Sequence, residues 1–134
     1  MIKFRGIPLE DVSSIDGVNF DGEFVYGNYV KNGDGALIIG DVLEAEEDMF
    51  WPYWWVPVDP KTVGQFTGLT DVNGKDIYEG DILENRKYRS IVKFASGKFL
   101  ADLIETIQTF DLIGETHGSK VIGNVHENPE LLKG

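Results

Sequence analysis

The sequence predicts a mainly β protein, and three observations carry that expectation. Turn-forming pairs punctuate the chain at Asp16-Gly17, Asp21-Gly22, Asn32-Gly33, Asn73-Gly74, Ser96-Gly97 and His117-Gly118. Asn-Gly and Asp-Gly pairs readily adopt the positive φ angles that tight hairpin turns demand. Between the turns lie short runs rich in Val, Ile, Phe and Tyr, residues suited to a pleated, half-buried surface. Long amphipathic helical spacing is missing; "EAEEDMF" and "TIQTFDLIGE" each suffice for a turn or two of helix.

The elements follow in order. "EFVYGNYV" and "GALIIGDV" read as strands on either side of Asn32-Gly33. From about Glu44 to Pro60 the chain turns acidic and then proline-rich, which marks the expected boundary between an N-terminal β lobe (1–60) and a C-terminal lobe (61–134), the two packed as one unit. In "GQFTGLTDVNGKDIYEGDIL", Asn73-Gly74 makes the hairpin turn, Asp71 and Asp76 solvate its shoulders, and Gly80-Asp81 lets the strand "DIL" bend into a small barrel. "YRSIVKF" alternates: Tyr88, Ser90, Val92 and Phe94 face one side, Arg89, Ile91 and Lys93 the other. Ser96-Gly97 then turns the chain into a partner strand from about Lys98 to Leu103.

Composition narrows the function classes. The chain has 134 residues with 42% hydrophobic and 12% aromatic residues, enough for an ordinary folded domain. It has no cysteine, and hence no disulfide, thiolate metal site or cysteine nucleophile. No run approaches the roughly 20 apolar residues of a membrane span, and "MIKFRGIPLEDV" lacks the apolar core of a signal peptide. A cytoplasmic protein without a membrane role is expected. The net charge of −11 is uneven: residues 1–60 hold 12 Asp/Glu against 3 Lys/Arg, residues 61–134 hold 11 against 9. Binding to nucleic acid depends on neutralising phosphates with Lys and Arg, so so acidic a chain is a poor general binder. The local exception is Arg86, Lys87, Arg89, Lys93 and Lys98.

Four chemical readings compete. Asp71, Asp76, Glu79 and Asp81 could form a metal cage or an acid/base pair, and Glu79 and Asp81, if both in one strand, would lie about 6–7 Å apart on one face. The register of a calcium loop is absent, and the structural role of these acids explains more. His117 and His126, the only histidines, sit in no recognised catalytic spacing. "KNGDGALIIG" lacks the signature of a phosphate-binding loop. No catalytic residue, cofactor or metal ion is expected.

The most unusual segment is "MFWPYWWVPVDP", which crowds Phe50, Trp51, Tyr53, Trp54 and Trp55 together. Trp55 and Val56 are expected in the core. Trp51, Tyr53 and Trp54 form the expected protein interface, because neighbouring residues of an extended chain face opposite ways and cannot all be buried together. A host or phage protein, or a second copy of the chain, would be the partner. The alternative is nucleic-acid contact through Arg86, Lys87, Arg89 and Lys93, with Tyr88 stacking on bases if exposed. A further alternative is an acidic face on the N-terminal lobe that imitates the phosphate row of DNA and occupies a host DNA-binding protein.

"TVGQFTGLTDVNGKDIYEGDIL", "SIVKFASGKF", "KVIGNVHENPELL" and the opening "IKFRGIPLED" with "GEFVYGNYV" resemble the YopX family of proteins encoded by bacteriophages and prophages of Firmicutes. The segment from Asp41 to Tyr53 carries no family pattern. The resemblance implies a largely β fold whose C-terminal part is similar to an SH3-like barrel, and an accessory protein of a phage or prophage in the bacterial cytoplasm. It brings no catalytic residues with it.

Overall fold

Glycines that follow Asp, Asn or Ser do turn the chain: Gly22, Gly33, Gly74 and Gly97 have φ of 63°, 61°, 82° and 80°. The computed structural model describes residues 3–10, 20–40, 42–43, 51–52 and 54–132. Within these, strands dominate and helix is limited to one short turn and two 3-10 turns. The chain forms two compact units, Met1–Gln65 and Phe66–Gly134, divided a few residues beyond the boundary expected at Pro60.

The first unit holds β1 (Phe4–Gly6), β2 (Phe20–Asp21), β3 (Phe24–Asn32), β4 (Gly35–Ile39), β5 (Val42–Leu43), β6 (Trp51–Pro52), β7 (Trp55–Val58) and the start of β8 (Gly64–Thr70). β7, β4, β3, β1 and the first residues of β8 lie side by side, antiparallel, and β2 pairs with the beginning of β3. β5 and β6 form a separate pair. One face of the sheet buries Val25, Ala36, Ile38, Val56 and Val58, closed by Trp54, with Phe4 and Val63 packed against them. Trp54 seals this core only because residue 40 is glycine: a Cβ there would stand 2.5 Å from the indole Nε1. Pro57 sits in β7 without cost to the β4 ladder. Its C=O accepts from Leu9 N–H at 3.1 Å. The N–H that proline lacks would have faced that same outer edge, not β4.

The second unit opens with a bulged hairpin of the rest of β8 and β9 (Asp76–Tyr78), followed by β10 (Asp81–Glu84), β11 (Arg89–Ala95), β12 (Lys98–Leu103), β13 (Thr109–Asp111), the helical turn α1 (Leu112–Glu115) and β14 (Lys120–Asn124). The order β13-β12-β11-β10-β14 is a four-stranded meander whose fifth strand, after α1, returns to pair with the first. This is the SH3-like arrangement. Its core is Ile77, Leu83, Val92, Ala101 and Leu112, with Leu69, Phe99 and Val121 at its margin. The turn between β11 and β12 has positive φ at Ser96 (54°) and Gly97, the geometry that matches the twist of the paired strands. α1 falls within "TIQTFDLIGE" as expected, whereas "EAEEDMF" lies outside the described residues.

Candidate interaction surfaces

The acids of the Gly64–Leu83 stretch are used on the backbone. Asp71 is buried, its Oδ1 accepting from Asn73 N–H (2.8 Å) and Lys75 N–H (2.9 Å) and its Oδ2 from Val121 N–H (2.8 Å). Burial alone would raise its pKa; the N–H donors of Val121, Lys75 and Asn73, with the Lys75 charge, outweigh that and hold it below the ordinary value. Asp81 is buried and accepts from Tyr78 N–H at 2.8 Å across the turn at Gly80, whose φ is 92°. Glu79 belongs to that turn and not to a strand, so the expected same-face spacing of Glu79 and Asp81 does not arise. Among the described residues no three His, Asp or Glu side chains are grouped to hold a metal ion. His117 and His126 are both exposed.

The basic strand has the expected faces but different surroundings. Ser90 and Val92 are buried, and Arg89, Ile91 and Lys93 point outward. Each outward cation meets a carboxylate on a neighbouring strand: Arg89 with Glu84 at 2.9 Å, Lys93 with Asp102 at 2.7 Å, Lys98 with Asp111 at 2.8 Å. The Lys93 hydrogen bond leads in holding the Asp102 pKa down, with Thr109 adding to it and burial opposing. Exposed pairs of this kind stabilise by at most about 1 kcal/mol each, yet they turn a basic stripe into an alternating lattice. Arg86 and Lys87 are exposed in the turn between β10 and β11, where Asn85 Oδ1 accepts from Lys87 N–H (2.8 Å) and Tyr88 N–H (3.0 Å). Tyr88, the expected stacking residue, donates its hydroxyl to Glu115 Oε2 at 2.7 Å and packs its ring 5.8 Å from that of Phe110. Burial, then the Glu115 hydrogen bond and charge, raise its pKa.

The aromatic segment reverses the sequence expectation at two positions. Trp54, expected at an interface, is 5% exposed and belongs to the core; Trp55, expected in the core, is 59% exposed. Val56 is buried as expected. Trp51 is described only as a backbone position in β6, and Tyr53 lies outside the described residues. Of the acids on which a DNA-like face would depend, Asp11, Asp16, Asp41, Glu44, Glu46, Glu47 and Asp48 also lie outside them.

Trp55 has company that sequence reasoning missed. Cross-strand partners share a face, and the register sets Asn28, Ile39 and Trp55 in one row and Val30, Leu37 and Pro57 in the next. Residues 7–9 run along the outer edge of β7, with Pro8 bridged to Val58. That register places Leu9 beside Pro57, continuing the second row. At its β3–β4–β7 end this side of the sheet carries Leu9 at 63% exposure, Val30 at 39% and Trp55, whereas Phe24 and Arg5, on the same side nearer β1, are buried. The two rows form an apolar strip across four chain segments with no charged residue in either. At the end of the β11–β12 hairpin the exposed Phe94 meets the half-buried Phe99 edge to face at 4.9 Å.

The whole chain is similar to a solved structure, "Crystal structure of protein EF1440 from Enterococcus faecalis", at 25% identity over 99% of both chains with a TM-score of 0.53. No curated protein matches the sequence. The family model described as "YopX protein" matches residues 21–133, which takes in most of the first sheet and every strand of the SH3-like meander. The chain belongs to the YopX family.

Proposed function

We propose that this chain is a non-enzymatic accessory protein of a bacteriophage or prophage, working in the bacterial cytoplasm as a module that binds another protein. The observation that carries the reading is the apolar strip of Leu9, Val30, Leu37, Ile39, Trp55 and Pro57 on the outer side of β3, β4 and β7. A contiguous apolar surface centred on an exposed tryptophan is what an interface core is made of. Membership of the YopX family supports the phage setting. The engagement of Asp71 and Asp81 by backbone N–H groups speaks against acid/base chemistry at those carboxylates. The cross-strand ion pairs of Arg89, Lys93 and Lys98 speak against the nucleic-acid alternative, since a phosphate would have to displace a carboxylate already in place.

The test is affinity capture from lysate of a bacterial host, with wild type and the Leu9→Ser/Trp55→Ser variant side by side, read by mass spectrometry. The reading expects at least one protein held by wild type and lost from the variant. Identical captured sets would contradict it.

A further inference from the structure

The apolar strip leaves open what kind of protein covers it, and the charge around it is informative. The first unit, Met1–Gln65, carries 12 Asp/Glu against 4 Lys/Arg. One of those four cations, Arg5, is buried with its guanidinium 4.3 Å from the centre of the Phe24 ring. Exposed carboxylates flank the strip within the described residues: Glu10 directly follows Leu9 on the outer edge, and Asp34 sits in the turn that joins β3 to β4. Lys31, which directly follows Val30, and Lys61 are the exposed cations among the described residues of the same unit. Seven of the 12 acids lie outside the described residues, so the strip is an uncharged apolar centre in a unit that is strongly negative by composition.

Resting on the reading of this strip as a docking face, we infer that its occupant is a basic protein surface: apolar side chains that seat against Trp55, Ile39 and Leu9, interspersed with lysine or arginine. A second copy of the chain would supply the apolar half but would bring a like charge to the rim. Like charges across an interface slow encounter and oppose docking, while opposite charges speed it and select the partner. The chemistry of recognition is thus apolar contact for adhesion and opposite charge for choice.

Amide NMR on the intact protein tests this with three synthetic peptides of equal length: alternating lysine and leucine, alternating glutamate and leucine, and alternating lysine and serine. The lysine–leucine peptide is expected to shift the amides of residues 28–30, 37–39, 55 and 56, to bind about tenfold or more weakly when salt is raised from low to well above physiological levels, and to lose about tenfold in affinity in Trp55→Ser and in Leu9→Ser. The other two peptides are expected to leave those amides in place. Equal binding of both leucine peptides at this face would overturn the inference about charge and leave the docking face standing. Shifts elsewhere, no change in the serine variants, or no binding by either leucine peptide would overturn the docking face as well. Concentration-dependent shifts of the same amides without peptide, with a doubled mass by light scattering, would make the occupant a second copy and overturn the basic partner.

Discussion

The carboxylate of Asp71 reaches fifty residues along the chain to the backbone of Val121, whose N–H it accepts at 2.8 Å. The same side chain closes its own turn through Asn73 and Lys75, so one group ties the β8–β9 hairpin to β14, the strand that completes the SH3-like meander. The glycine-and-acid pattern of Gly64–Leu83 is in this sense a device for shaping backbone.

Replacing Asp71 by Asn should therefore destabilise the second unit. An amide accepts through one oxygen only and turns its NH2 toward a backbone donor, so the loss expected at neutral pH is about 2 kcal/mol, the scale of a charged hydrogen bond with a buried donor left over. The folded-state pKa lies below the value of 3.8 expected of an unperturbed Asp. The contribution is thus fully present above that value and is lost as pH falls through the folded-state pKa. Urea unfolding at a series of pH values should show wild type and Asp71→Asn converging in acid.

Gly40→Ala tests the packing of Trp54. The added methyl would meet the buried indole at 2.5 Å, and overpacking of this kind costs about 1–3 kcal/mol. Unfolding followed by tryptophan emission should show an earlier midpoint. An unchanged midpoint would mean that Trp54 does not hold this position.

Ser96 is the one non-glycine residue with positive φ among those described, at 54°. Asparagine tolerates the left-handed region better than serine does, so Ser96→Asn should raise stability by about 0.5–1 kcal/mol. Thermal melting would show it.

The ion-pair lattice on β11 and β12 leads to a double expectation. Lys93→Met should change stability by less than about 1 kcal/mol, because the pair with Asp102 is exposed. Fluorescence anisotropy with labelled single- and double-stranded oligonucleotides at physiological salt should show no binding by wild type. Binding that is lost in Arg86→Ser/Lys87→Ser would restore the nucleic-acid alternative.

How much of this could be read from the sequence depends on whether a signal is local. The turns at Gly22, Gly33, Gly74 and Gly97 follow from dipeptides, and the buried Ser90 and Val92 follow from alternation within one strand. The ion pairs were within reach. A two-residue turn at Ser96-Gly97 sets Ala95 opposite Lys98 and Phe94 opposite Phe99, and counting outward brings Lys93 and Asp102 to the same face. The reversal of Trp54 and Trp55 was not legible in this way. Which of two adjacent tryptophans faces inward is set by the register of β7 on β4, where Trp55 falls opposite Ile39, and by the vacancy over Gly40 that takes the Trp54 indole. The strip beside Trp55 assembles Leu9, Val30, Leu37 and Pro57 from segments distant in sequence, and Asp71 to Val121 spans fifty residues. No short window contains either relationship.

Hydroxyl-radical footprinting of the protein alone and in complex with the partner captured by wild type tests the docking face most directly, because it reads each side chain by mass spectrometry. Trp55 and Leu9 should be modified rapidly in the free protein and protected in the complex, while Trp54 stays unmodified in both. Equal modification of Trp55 with and without the partner would contradict the account.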